Sequence, residues 1–289
     1  MRNYRATNSI HRTMKLFCIA LLPLVLTFTA ANAKEPAGTR PSTQMIIVTT
    51  PDWSSPQGTL RRYERGGSGQ SWRAVGDPIT VMVGKNGLGW GSGVMNVQAP
   101  IRDAADPAKK EGDGKAPAGA FHVSKAFGYA PDSQPGWKMP YVNLSSSIEC
   151  VDDTSSKFYN QVIDRSSVSP DWNSSEHMRR DDELYRWGLI VDYNSTPAVQ
   201  GNGSCIFMHI WRGPGQPTVG CTAMAQANLE ALIGWLDPTR KPLLVQLPEA
   251  KYQLLRKHWN LPQIAAPAAA KGSTMQGGQQ SLGKSSGQQ

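Results

Sequence analysis

Long apolar runs are missing from this sequence. The longest, residues 16–28, falls short of the roughly 20 residues that a membrane-spanning helix requires. There is no basic helix, no stripe of arginine and lysine and no zinc-finger spacing, which leaves no ground for a nucleic-acid partner. A metal site needs three or four clustered ligands. Asp152, Asp153, Glu176 and His177 could be assembled into one, but their spacing forces nothing, so neither metal nor cofactor is expected. Cysteine is also scarce, with four in 289 residues.

What is present begins with an export pattern. Arg2, Arg5, Arg12 and Lys15, with no acid among them, precede the apolar run, and Ala31-Asn32-Ala33 follows it. Basic, apolar and small segments in that order predict a signal peptide over residues 1–33, the alternative being a retained signal anchor. Cleavage after Ala33 halves the formal net charge of +8, so the basic balance belongs largely to the signal. The destination is the periplasm or cell envelope, with no stable membrane span after cleavage. Cys150, Cys205 and Cys221 then remain, an odd number in an oxidising compartment. The economical arrangement pairs Cys150 with Cys205 and leaves Cys221 free; three buried, inert thiols are the other arrangement.

Residues 34–43 read as a linker, 44–263 as one mostly β domain, and 264–289 as a disordered tail of Ala, Gly, Ser and Gln. Residues 45–50 form a β-branched run ended by Pro51-Asp52, a strand and a turn. Further strands are expected at 60–64, 72–75, 79–83 and 119–125, with Gly76-Asp77-Pro78 as a break. Residues 84–93 carry five glycines and read as a tight loop facing substrate or closing a hairpin, since the spacing of a phosphate-cradling loop is absent. Residues 101–117 are charged and look mobile. From about 131 to 185 the pattern is irregular, as in an insertion that shapes a site, with a short helix at 175–185. Strands at 187–193 and 205–211 look central. Apolar residues at helical spacing predict a helix over 223–236, then a strand at 243–246 and a second helix from Pro248 through Trp259. His122, His177 and His258 read as edge, solvated and structural residues.

The chemistry concentrates in residues 209–222, His-Ile-Trp-Arg-Gly-Pro-Gly-Gln-Pro-Thr-Val-Gly-Cys-Thr. His209 falls near the end of a strand, and Cys221 in a glycine-containing turn before the predicted helix. A thiol at a helix N-terminus meets partial positive charge that favours its thiolate. Cys221 would attack a carbonyl carbon with His209 as proton donor and acceptor, and backbone N–H groups around Gly220 would hold the oxyanion. A buried cysteine and a core-edge histidine are the plain alternative.

These residues resemble the catalytic core of the L,D-transpeptidase (YkuD-type) domain family. The likeness extends to residues 112–119, Gly-Asp-Gly-Lys-Ala-Pro-Ala-Gly. It includes features of the larger Gram-negative branch at Phe127-Gly128-Tyr129-Ala130, Cys150-Val151-Asp152-Asp153, Tyr159-Asn160, Glu176, Met178, Tyr193-Asn194 and residues 203–209. The resemblance implies a β-sandwich with flanking helices, and a cysteine acyl-enzyme that forms or exchanges L,D bonds, often at diaminopimelate, on peptidoglycan stem peptides. On it, Cys221 is the nucleophile, His209 the base and Gly220 the glycine before the nucleophile. Thr218, Trp211, Arg212 and Thr222 are the expected substrate contacts. Ile210, Val219 and Ala223 depart from the family pattern, and Arg212 is the candidate replacement for a carboxylate-binding arginine. The alternatives are an L,D-carboxypeptidase or a catalytically inactive cell-wall-binding module. Oligomeric state is left open.

Overall fold

The computed structural model describes residues 42–95 and 101–264. The expected signal peptide, most of the linker and the tail beyond Ile264 lie outside the described residues. Among the described residues no helix is long and apolar enough to cross a membrane.

Strand β1 (Gln44–Thr50) is buried at every position, as a β-branched run must be when both of its faces are covered. It lies between β2 (Gln57–Glu64), antiparallel to it, and β13 (Leu243–Pro248), parallel to it. Between these in the chain come β3 (Arg73–Met82), β4 (Leu88–Trp90), β5 (Ala116–Gly128) and β6 (Tyr141–Asn143). They are followed by β7 (Ile148–Val151), β8 (Val162–Asp164), β9 (Ser175–His177), β10 (Trp187–Val191), β11 (Phe207–Ile210) and β12 (Thr222–Met224). The order β10-β11-β12-β3-β2-β1-β13-β5, with β5 pairing back onto β10, closes eight strands into a barrel. β4 and β6 extend β5 beyond the ring. Helices α1 (Gln226–Trp235) and α2 (Glu249–Leu255) flank it, α1 against β10 and β11 and α2 against β13 and β1. The fold is therefore mainly β, and it matches the β-sandwich-like architecture with flanking helices.

Three local expectations are corrected. Gly76-Asp77-Pro78 does not end a strand. Leu60 pairs with Ile79 and Arg62 with Val75, so the three residues bulge out of one continuous β3, with Gly76 at φ +65. The helix expected at 175–185 is replaced by β9, which pairs with β7. The helix expected from 223 begins only at Gln226, because Thr222–Met224 is drawn into a parallel ladder with β11.

The insertion has its own small sheet, β8-β7-β9. Its centre is the buried carboxylate of Glu149, which accepts from Ser175 Oγ at 2.7 Å and Trp172 Nε1 at 2.9 Å and pairs with Arg165. A disulfide between Cys150 on β7 and Cys205, just before β11, ties this sheet to the barrel, with Cα atoms 5.9 Å apart.

Candidate functional site

A cleft of about 430 Å³ lies where β11 and residues 212–221 meet the insertion. Its wall holds His209, Trp211, Arg212, Thr218, Gly220 and Cys221, brought together from one stretch of chain. Thr222 is not among them. It points to the other side of β12, where its buried hydroxyl donates to Gln246 Oε1 at 2.8 Å.

The turn before Cys221 is held by Thr218. Its Oγ1 donates to the carbonyl of Cys221 at 2.6 Å and accepts from the Gly220 N–H at 3.1 Å. Its backbone is pinned to Val83 and Lys85. A Cβ on Gly220 would come within 3.2 Å of the Lys115 carbonyl, so a side chain there crowds the packing of the turn itself. Arg212 and Val219 stand exposed at the rim, Val219 with 76% of its surface open. Ile210 and Ala223 are buried in the barrel wall.

His209 is buried between Gly188 on β10 and Ala223 on β12. Its Nδ1 lies 2.8 Å from the Ile210 carbonyl. A carbonyl can only accept, so Nδ1 carries the proton and Nε2 keeps its lone pair. Burial lowers its pKa to about 4, so the ring is neutral at pH 7. The Sγ of Cys221 accepts from the Phe207 N–H at 3.4 Å and donates to the Cys205 carbonyl at 3.6 Å. Burial first, then the nearby Glu176 carboxylate, push its thiol up to about 12. No hydrogen bond joins Sγ to the His209 ring.

The sequence reading missed several residues of this cleft. Lys109 is buried and pairs with Asp113 at 2.8 Å, within the stretch that reads as mobile charge. Glu111 accepts from the Ser204 hydroxyl at 2.8 Å and from Tyr159. Tyr185 donates to Glu176 Oε1 at 2.6 Å, and its ring stands edge-on to His209 at 5.1 Å. The available signals were the Gly-Asp-Gly-Lys segment around Asp113 and the Glu-x-Met pattern at Glu176; nothing local marks Lys109 or Glu111.

The sequence model of the L,D-transpeptidase catalytic domain, YkuD, matches residues 52–245. The chain belongs to the YkuD family. No curated protein and no solved structure matches it. The family places the protein in peptidoglycan-related work.

The expectation of a YkuD-type cysteine acyltransferase, with an activated cysteine nucleophile, is corrected by the state of the cysteines. Cys150 and Cys205 are locked in a disulfide and offer no thiol. Cys221 is free but buried, and burial favours its protonated form. The predicted activating features are not in place. Cys221 enters a strand rather than a helix N-terminus, and the Gly220 N–H is already engaged by Thr218. The Cys221 sulfur bonds Phe207 and Cys205 and not the His209 ring, so the hydrogen bond between nucleophile and base is absent, and the assignment as a transpeptidase enzyme falls with it.

The low pKa of His209 has a consequence for stability. Below the ordinary value of 6.5 the unfolded chain binds a proton that the folded chain refuses until about pH 4. Stability from this group is present above pH 6.5 and is lost as the pH falls toward 4. In urea unfolding at pH 7 and pH 4.5, His209→Gln should therefore show a smaller acid loss than the wild type. An equal loss in both would mean that the imidazole is solvated.

Proposed function

We propose that this YkuD-family domain is a cell-wall-binding module of the envelope, holding peptidoglycan stem peptides in its cleft without forming an acyl-enzyme. The observation that carries it is a formed, mixed-charge cleft beside a free thiol that is buried, and burial favours its protonated form. Lys85, Lys109, Arg180 and Arg212 line the cleft together with Glu111, Asp152 and Glu176. A stem peptide bears carboxylates and, at a diaminopimelate residue, an amine, so both signs of charge find partners. Arg212, exposed at the rim, is assigned to a ligand carboxylate, and Trp211 to apolar contact beside it. The basic, apolar and small order of residues 1–33 supports export to the periplasm, and the motifs at 127–130 and 203–209 support the larger Gram-negative branch.

The test is calorimetric titration of purified tetra- and pentapeptide muropeptides into the wild type and Cys221→Ala, with mass analysis of peptide and protein afterwards and of both proteins incubated separately with a carbapenem, a β-lactam that acylates an activated thiol. Saturable binding within about twofold in the two proteins, peptides recovered intact and no carbapenem adduct are expected. Loss of a terminal residue, a cross-linked dimer or a carbapenem adduct with the wild type alone would restore an acylating enzyme. Absence of binding would end the reading altogether.

A further inference from the structure

The chain holds nine tryptophans, all among the described residues. Seven pack in the main hydrophobic core or against it. Trp172 stands edge-on to Phe158 at 5.5 Å and donates its indole N–H to Glu149. Among the described residues, Trp211 alone has no ring or cation stacked on it, no bond to its indole N–H and no place in a hydrophobic cluster. Its backbone is fixed where β11 ends, the N–H donating to the Met224 carbonyl at 2.9 Å. The side chain is half-buried in the cleft wall. An indole carries a large apolar surface that a fold normally covers, and here only the cleft faces it.

Gln216 lines the same cleft from the loop that follows, where its N–H closes a turn on the Gly213 carbonyl at 3.2 Å. Its side-chain amide, which can both donate and accept, is exposed and bonds to nothing among the described residues. The charged groups of the cleft differ: Lys109 is committed to Asp113, Arg180 to Asp182 and Glu176 to Tyr185. A bare aromatic face and an uncommitted neutral amide are thus offered together.

A stem peptide does not match that surface. Its side chains are alanine methyls, carboxylates and an amine, none of them flat. The glycan from which it hangs does match. A pyranose ring turns axial C–H bonds to a flat apolar face and carries hydroxyl and acetamido groups around its edge. Because the peptide is bonded to that sugar, a cleft that holds the one brings the other to its rim.

We propose that Trp211 is a specificity-determining residue for glycan, stacking on the N-acetylated sugar that bears the stem peptide while the Gln216 amide bonds the sugar's polar edge. The cleft then selects peptide still attached to glycan over free peptide. The inference rests on the binding-module reading and names the second half of its ligand.

Calorimetric titration of a disaccharide-tetrapeptide, and of the free tetrapeptide of the same sequence, tests it. The wild type is expected to bind the disaccharide-tetrapeptide about tenfold tighter. Trp211→Leu, which keeps an apolar side chain and loses the plane, should remove that margin and bind the free tetrapeptide as the wild type does. Trp211→Phe should keep most of the margin. Gln216→Ala should cost about threefold, on the sugar-bearing ligand alone. Since the indole has no packing partner, Trp211→Leu should unfold at the wild-type temperature. Equal wild-type affinity for the two ligands would overturn the proposal. So would a Trp211→Leu protein that keeps the margin, weakens on both ligands alike or unfolds early. Those failures leave the binding-module reading standing. A wild type that binds neither ligand would overturn both.

Discussion

Replacing Cys205 with serine is expected to lower the free energy of unfolding by about 4 kcal/mol. The bridge to Cys150 closes a span of 55 residues, and the entropy it removes from the unfolded chain grows with that length. Cys205 also sits at φ +56, in the left-handed region, with its N–H held by Asn160 Oδ1 at 2.8 Å. Without the bridge, that conformation is held by the Asn160 bond and the weak one from the Cys221 thiol to its carbonyl. Cys150→Ser should produce the same loss, and the double variant nothing further, since one cross-link can be removed only once. Urea unfolding of the three variants checks this. Losses that add would show that the two side chains act through packing and not through the cross-link.

Asp113→Ala is expected to cost about 3–5 kcal/mol. The Asp113 carboxylate accepts from the Lys109 ammonium at 2.8 Å, the Lys110 N–H at 2.8 Å and the Lys115 N–H at 2.9 Å. It therefore organises the segment that forms one side of the cleft. Removing it strands a buried cation, and that penalty exceeds the net worth of the pair. Asp113→Ala combined with Lys109→Met should recover more than half of the lost stability, while muropeptide binding stays weakened because the segment has lost its organiser. Denaturant titration with parallel calorimetry separates the two effects. A double variant no more stable than Asp113→Ala would place the cost in the lost backbone hydrogen bonds instead.

The barrel was legible wherever burial is encoded locally. The apolar run at 45–50 becomes β1, and the alternation and continuity of residues 187–193 and 243–246 become central strands. Legibility failed where distant partners decide. Gly76-Asp77-Pro78 carries every local signal of a turn, but pairing on both sides of it with β2 carries the strand through. Residues 175–177 have no period of either kind, and only the Glu149 network and β7 make them a strand. In the cleft, the chemistry of each residue type was readable and its charge state was not. The thiol is buried in a packing cluster with Phe127, Tyr185 and Phe207, which favours its protonated form, and three separate segments of chain supply those rings. The Lys109–Asp113 pair was hidden for the opposite reason: a stretch rich in charge looks solvated until one of its lysines is found buried.

Closure of the ring of eight strands bears on how the protein behaves among copies of itself. An open sheet edge offers a row of unpaired donors and acceptors on which another chain can add a strand. Here β5 returns to β10 and removes most of that row. The weak joint is β3, which meets β12 at a single position, Ala223 against Met82. The stretch this leaves uncovered, residues 73–78, is mostly exposed and holds Arg73, Gly76, Asp77 and Pro78. Proline has no N–H to offer a newcomer, the glycine and the bulge bend the strand away from flat pairing, and the two charges resist dehydration. Residues that look like a misplaced turn thus guard the open seam against strand exchange and aggregation.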